Sequence, residues 1–174
     1  LRDVVAIKLE AAFLPQRTGQ PLAQDLIAFL AGQGFCLADI VDVVRWRTRP
    51  WAADPFMVRG TPAYSRGRLA QADLVFLREP ETVPDGRAVA AALAAAGLGF
   101  FDHGREIAAA HRDAFAACPA GDADAFDAAI PSASRAYGRA RVRDARRAAI
   151  VRYVRLWRSA LTGLGIPPGS GSGA

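Results

Sequence analysis

A carboxylate and three polar side chains follow the first apolar segment of the chain. Residues 4–9 form a short apolar run with β-branched residues, which predicts a buried strand ending near Glu10. Ligands of open α/β sheets bind beyond the carboxyl ends of strands, and a carboxylate there can hydrogen-bond or deprotonate a hydroxyl group. Gln16, Arg17 and Gln20 follow in the same loop and could bind a polar molecule. All four side chains are also consistent with a solvated loop.

The cysteines and histidines form no metal or redox motif. Cys36 and Cys118 lie far apart and neither belongs to a C-x-x-C pair, so we expect reduced thiols and a cytoplasmic location. His103 and His111 are eight positions apart, or about 12 Å of helical rise, which is too far to share a metal. We therefore predict a surface pair of histidines and no bound metal.

A mixture of cations and aromatic rings spans residues 45–51. Arg45, Trp46, Arg47, Arg49 and Trp51 could stack on single-stranded nucleic acid or a phosphosugar. They could equally belong to a loop whose tryptophans cover the core. We favour the second interpretation and expect no nucleic-acid partner.

The pattern of apolar residues changes from strands to helices along the chain. A helix is predicted over residues 22–30, a strand region from 35 to 46, a Pro- and Gly-rich loop over 47–66 and a compact strand over 74–77. After Pro84 only helices are predicted, over residues 87–96, 105–117, 122–129 and 134–161. The layout is thus an α/β segment followed by an all-helical one.

Length and charge bound the class of protein. The chain has 174 residues and a net charge of +5, and the whole excess lies in residues 86–174, which carry twelve basic and seven acidic side chains. No apolar stretch approaches the ~20 residues that span a bilayer, and no secretory signal opens the chain. We expect a globular protein with no membrane partner.

Four segments, taken in order, resemble a known family. They read V-A-I-K-L-E at 5–10, G-Q-P-L at 19–22, G-F-C-L-A-D-I at 34–40 and G-R-L-A-Q-A-D-L-V-F-L-R at 67–78. Their order and spacing resemble the C-terminal part of the FkbM family of methyltransferases over about residues 3–79. Enzymes of that family use S-adenosylmethionine (SAM) and often methylate a hydroxyl oxygen on sugars or natural products.

The resemblance implies an α/β fold of the class I methyltransferase (Rossmann-like) type. The chain would supply its final three strands, the last of them antiparallel, followed by an all-α extension. It implies a methyltransferase portion at residues 1–80, a helical extension at 81–166 and a flexible tail at 167–174. The Gly-rich turn that binds SAM would lie before Leu1, so SAM is the cofactor of the full-length protein and none is expected for this chain alone.

Site residues follow from the same resemblance. Glu10 would be the catalytic carboxylate near the methyl acceptor, a small molecule or sugar. Gln16, Arg17 and Gln20 would bind that acceptor. For Gln71 and Asp73, which open the last strand, we predict a structural role, either pairing with Arg68 or capping a turn, rather than contact with substrate.

A non-catalytic function is the alternative. Nine arginines and one acidic residue, Asp144, lie between Arg135 and Arg158. We expect this helix to pack through a stripe that includes Val142, Tyr153 and Leu156, with a solvated basic surface. Otherwise it forms a module that binds an acidic partner or polyanion. The edge of the strand at residues 5–9 also predicts either a homodimer or a cover formed by the C-terminal helices.

Overall fold

Three strands form one antiparallel sheet. The computed structural model describes residues 1–46, 67–118 and 122–163, with side chains in the last range as far as Trp157. Strands β1 (Ala6–Ala12), β2 (Phe35–Trp46) and β3 (Arg68–Arg78) lie in the order β1-β3-β2. Because β3 is antiparallel to both neighbours, β1 and β2 run in the same direction.

Helix α1 (Ala23–Ala31) connects these two parallel strands. The Asp25 carboxylate accepts a hydrogen bond from the Leu22 amide at 2.7 Å, which satisfies a donor in the first turn. The chain reverses after the helix at Gly34, whose φ of 79° is favourable only for glycine. This turn directs the chain into β2.

One face of the sheet is apolar, and α1 covers it. Antiparallel partners point to the same side, so Ile7 and Leu9 share this face with their partners Phe76 and Leu74. The buried members of this core are Ala11, Ala23, Leu30, Phe35, Leu74 and Phe76. Each large side chain contributes about 1.5–3 kcal/mol of burial, so this core holds β1, β3 and α1 together.

The sequence predicted these elements in the correct order. The three strands and α1 are confirmed, and the fold is mixed α/β. β1 continues to Ala12, two residues beyond the predicted end, and β3 begins at Arg68, six residues before the predicted start of its strand. Main-chain pairing between neighbouring strands explains both extensions, since pairing continues wherever a partner strand is present.

Arg78, at the end of the central strand, is buried with only 6% of its surface exposed. Its Nε donates to Val4 O at 3.0 Å and its Nη2 donates to Leu1 O. Its Nη1 faces Gln33 O at 3.3 Å and Thr82 O at 3.4 Å. The guanidinium also lies 4.5 Å from the centre of the Phe35 ring. No carboxylate of the described residues forms an ion pair with it, so main-chain carbonyls supply its polar contacts.

Three helices follow the sheet. They are α2 (Ala88–Gly97), α3 (Phe101–Ala110) and α4 (Arg112–Ala116). Their shared core consists mainly of small residues, with Ile107 and Phe115 as its largest buried side chains. A Cβ atom placed on Gly104 would lie 2.9 Å from the carbonyl oxygen of Ala92, so the two helices approach closely at that glycine.

Replacing Gly104 with alanine is expected to destabilise the protein. The added methyl group meets main-chain atoms of α2 rather than a flexible side chain, so the helices must separate, at a cost of about 1–3 kcal/mol. Urea unfolding followed by circular dichroism would measure the loss. Gly97→Ala is the control, because no atom lies within 4 Å of its added Cβ. Equal stability of the two variants would contradict the close approach.

The predicted helix over residues 105–117 is interrupted at His111. Its backbone is not helical, with φ −121° and ψ 40°, and its ring bonds to Pro80 O and to the Asp85 carboxylate, each at 2.8 Å. His103 Nε2 lies 2.9 Å from Arg78 O. The prediction of a surface pair is therefore wrong, since both rings join the helices to the segment after β3.

The two helices predicted over 122–129 and 134–161 are one helix, α5 (Ala123–Gly163). Pro131 lies inside it and cannot donate to the carbonyl of Asp127. Asp127 is exposed, so water can satisfy that oxygen. Pro131 therefore does not end the helix, although sequence rules favour a break there.

The chain divides into two compact units. The first contains Leu1–Arg47 and Gly67–Arg135, and the described part of the second is α5 from Ala136 onward. The boundary expected at residue 80 stays a prediction. The expected packing of the α5 stripe is wrong, because Val142, Tyr153 and Leu156 are exposed. The first half of that stripe is largely alanine, which offers little area to bury.

Some predictions fall outside the described residues. They concern the loop at 47–66, with Arg47, Arg49 and Trp51, and the tail at 167–174. Trp46 ends β2 and is 45% exposed, so the expectation that it covers the core is wrong. Within the described ranges, no helix has both the length and the apolar character to cross a membrane.

Candidate functional site

Polar side chains gather on the face of the sheet opposite α1. Lys8 and Glu10 alternate with the apolar residues of β1 and so point away from the helix. Glu10 is paired in register with Asp73 of β3, and Ala12 is paired with Gln71. We call this set (Lys8, Glu10, Asp73, Gln71, and Asp42 of β2) the polar face.

Lys8 joins all three strands. Its Nζ lies 2.9 Å from the Asp73 carboxylate and 3.4 Å from that of Asp42. The hydrogen bond and charge of Asp73, followed by those of Asp42, raise the pKa of Lys8. Asp73 therefore has the structural role that was predicted, but its partner is Lys8 rather than Arg68.

A β-bulge brings Asp42 into this cluster. Between Val41 and Val44 the strand β2 contains one residue more than β3, and Asp42 has a φ of 52°. Aspartate tolerates this left-handed conformation better than most residues. The sequence shows no glycine at this position, so the bulge could not be located from the pattern alone.

Glu10 is the carboxylate of the cluster that has no partner among the described residues. It lies inside β1, not after it, and its side chain is exposed. No described residue forms a hydrogen bond or ion pair with the Glu10 side chain. Its cross-strand neighbour Asp73 is bound by Lys8, so Glu10 is left as the free carboxylate of the pair. It can accept a proton or a hydrogen bond from a bound molecule.

The loop after β1 brings two of the predicted binding residues to the polar face. Gln16 Nε2 donates to Gln71 Oε1 at 3.3 Å, and the Gln16 amide donates to Gln20 Oε1 at 3.2 Å. The side-chain amides of Gln16 and Gln71 are thus bonded to each other, while the Gln20 side chain is bonded to the main chain of Gln16. Gln71 lies two residues along β3 from Asp73, the cross-strand partner of Glu10. Arg17 is exposed, and its side chain has no hydrogen bond or ion pair within the described ranges.

Removing the Lys8 amine is expected to destabilise the sheet, because Glu10 and Asp73 would then face each other without a cation. Lys8→Met should lower the urea midpoint, and more so at low salt. Adding Asp73→Asn to the Lys8→Met variant should recover part of the lost stability, because it removes one of the two facing carboxylates. The pKa of Lys8 in the folded protein is raised above its ordinary value of 10.5. The stabilisation by Lys8 is therefore complete below pH 10.5 and declines as the pH rises beyond that value. A midpoint unaffected by Lys8→Met at low salt would contradict this account.

The turn at Gly97-Leu98-Gly99 does not fit the phosphate- or cofactor-binding turn of a Rossmann-like sheet. The G-x-G sequence Gly97-Leu98-Gly99 forms the turn after α2 rather than following a strand. The Leu98, Gly99 and Phe100 amides donate to Ala94, Ala96 and Ala95 carbonyls at 2.9–3.0 Å, so they end a helix and are not free for a ligand. No step can be assigned to a cofactor at this turn.

Other candidate groups have structural partners. The Cys36 thiol donates to Leu77 O at 3.4 Å, and burial, with the Glu79 charge, raises its pKa. Both Cys36 and Cys118 are free thiols. Arg45 Nη1 donates to Gly67 O at 3.4 Å. Among the described residues, no group of three or more His, Cys, Asp or Glu side chains could hold a metal ion.

Comparison with protein-family models, curated proteins and solved structures finds no significant match to this chain. The site is therefore defined by its own geometry. It is the polar face of a three-stranded antiparallel sheet, with an exposed carboxylate, Glu10, beside a group of amide side chains.

Proposed function

We propose that residues 1–80 are the acceptor side of a SAM-dependent methyltransferase that methylates a hydroxyl oxygen on a sugar or natural product. The observation that supports this most is the direction of the strands. β1 and β2 are parallel and connected by α1, and the last strand, β3, is antiparallel to both. The FkbM resemblance implies such a C-terminal part of a Rossmann-like sheet, with its last strand antiparallel.

In this proposal the side chains of the polar face act on the acceptor. Glu10 accepts the proton of the acceptor hydroxyl, since its carboxylate is exposed and no described residue pairs with it. The amides of Gln16, Gln20 and Gln71 each offer donors and an acceptor, which suits a polyhydroxylated molecule. Lys8 binds Asp73 and so leaves Glu10 the only unpaired carboxylate of that pair.

The proposal places the cofactor site outside the described residues. The turn at Gly97-Leu98-Gly99 uses its amides within the protein, and the described chain contributes acceptor binding and proton transfer only. The methyl group itself would be supplied by SAM bound outside the described residues.

The test is methyl transfer by the native protein that contains this chain. We expect radiolabel from methyl-labelled SAM to enter polyhydroxylated acceptors, and Glu10→Gln to lower the rate by about a hundredfold, as for loss of a general base. Glu81→Gln is the matched control, since Glu81 is an exposed carboxylate in the turn after β3. Its rate should equal that of the wild type.

Two results would count against the proposal. An absence of label in every hydroxylated acceptor would overturn methyl transfer as the function. Transfer by Glu10→Gln at the wild-type rate would leave methyl transfer in place and remove the role of Glu10.

A further inference from the structure

The C-terminal half of α5 exposes a row of large apolar side chains. Ile150, Tyr153, Val154 and Trp157 are spaced i, i+3, i+4 and i+7, so they lie on one side of the helix. Their exposed fractions lie between 45% and 63%. The rings of Tyr153 and Trp157 meet edge to face, with centroids 6.2 Å apart. We call these four residues the C-terminal apolar row.

Arginines surround this row. Nine arginines and only one acidic residue, Asp144, lie between Arg135 and Arg158. Arg152 and Arg155 lie on other sides of the helix from the row. Arg146 lies on the same side of the helix as the row, one turn before Ile150, so the apolar row begins at Ile150. The surface combines two turns of apolar anchors with a high positive charge.

This combination selects among the molecules that could cover the row. A second copy of the helix would bring two sets of arginines together, and like charges oppose that pairing. A helix that lies on a membrane needs a wide face of large apolar side chains, whereas residues 138–149 of this helix are mostly alanine and arginine. A nucleic acid would bind the arginines through phosphates but offers little to isoleucine and valine. An apolar groove with an acidic rim on another protein could contact both the apolar side chains of the row and the arginines around it.

We propose that the C-terminal apolar row inserts into the apolar groove of a protein partner whose rim carries carboxylates. Anchors at i, i+3, i+4 and i+7 are the pattern by which amphipathic helices occupy such grooves. Trp157 and Tyr153 are the side-chain types that contribute most to buried contacts. The arginines pair with the acidic rim and speed association. This surface is independent of the polar face and of methyl transfer.

Calmodulin is a suitable probe of this chemistry. It is acidic, and Ca²⁺ opens its helix pairs to expose a Met-rich apolar groove, which is closed without Ca²⁺. Fluorescence anisotropy with labelled calmodulin and the full chain should show binding at least about tenfold tighter with Ca²⁺ than with a chelator, a difference of about 1.4 kcal/mol. Binding should weaken as salt is added.

Variants separate the apolar row from the charge. Trp157→Ala and Ile150→Ala are each expected to weaken binding by about tenfold or more, as for hot-spot residues. Val151→Ala is the matched control, because Val151 is an exposed apolar residue beside the row and not part of it. It should bind as the wild type does. The double change Arg152→Gln with Arg155→Gln should weaken binding and reduce its salt dependence.

Several outcomes would overturn the proposal. Absence of binding to Ca²⁺-loaded calmodulin, or equal binding with and without Ca²⁺, would show that no apolar groove is recognised. Tighter association with vesicles of about 30% phosphatidylserine would assign the surface to an anionic membrane instead. Tighter association with duplex DNA, insensitive to Trp157→Ala, would assign it to phosphate binding.

Discussion

Arg78→Leu is expected to lower the free energy of unfolding by about 3–5 kcal/mol. The guanidinium of Arg78 is buried and donates to the carbonyl oxygens of Leu1, Val4, Gln33 and Thr82. Leucine would remove this donor from four partly buried carbonyls, of which Leu1 O would keep the Val4 amide as a partner. An acceptor left without a partner away from water costs about 1–3 kcal/mol. The variant would also lose the contact with the Phe35 ring.

Urea unfolding followed by circular dichroism would measure this loss. Arg78→Lys should be intermediate, because an ammonium group keeps the charge but lacks the planar fork that reaches several carbonyls. Arg68→Leu is the matched control on the same strand, and its exposed side chain predicts a change within about 0.5 kcal/mol. If Arg78→Leu unfolded at the midpoint of Arg68→Leu, the buried hydrogen bonds would contribute no net stability.

Gly34→Ala is expected to cost about 3 kcal/mol, for two separate reasons. Gly34 has a φ of 79°, in the left-handed region that a Cβ atom disfavours. The new Cβ would also lie 2.7 Å from Thr82 Oγ1 and 2.9 Å from Thr82 Cβ. The Thr82 hydroxyl faces Gly34 O at 2.9 Å, so its movement would weaken the contact between the α1–β2 turn and the segment after β3.

Gly32→Ala provides the matched control two residues away. Gly32 has helical φ and ψ of −63° and −14°, and its added Cβ would meet no atom closer than 3.4 Å. It should be neutral or stabilising by a few tenths of a kcal/mol, since alanine narrows the unfolded ensemble. Thermal unfolding of both variants would show the contrast. Similar Tm values for the two variants would mean that neither the positive φ of Gly34 nor the approach of Thr82 disfavours alanine at this position.

Local pattern was sufficient to predict the strands and α1, because each has its own apolar period and ends at Gly or Pro. It was insufficient for the exact ends, which depend on how far a partner strand continues. The strand at residues 4–9 was expected to end near Glu10, but pairing with Gln71 carries β1 to Ala12. Glu10 therefore lies on a face of the sheet and not at the end of a strand.

The polar contacts depended on residues far apart in sequence, and no local signal identified them. Lys8 is the single lysine of the chain, yet its two partners lie on different strands, and one of them reaches it through a bulge. Arg78 resembled an ordinary charged strand end. The sequence position of Arg78 nevertheless carried a signal for its burial. Arg78 directly follows the apolar run Leu74–Leu77 and lies two residues before Pro80, where a charged side chain has little room to reach solvent.

The helical half was predicted less well, because its breaks follow tertiary contacts rather than propensity. Helix α3 ends at Ala110, where the ring of His111 bonds to Pro80 and Asp85. Helix α5 instead continues through Pro131, where the freed carbonyl is at the surface. Rules based on proline predict a break at Pro131, whereas the structure breaks the helix at His111.

The central place of β3 has a consequence for how the protein is made. β1 and β2 hydrogen-bond to β3 in the sheet, yet β3 is the last of the three strands to leave the ribosome. One contact that closes the sheet, from Arg78 to Val4, joins residues 74 positions apart. Loop-closure entropy must therefore be overcome before sheet contacts compensate for it, which slows folding. Until then the nascent chain carries two apolar strands without a partner, and this interval is when it is most exposed to aggregation.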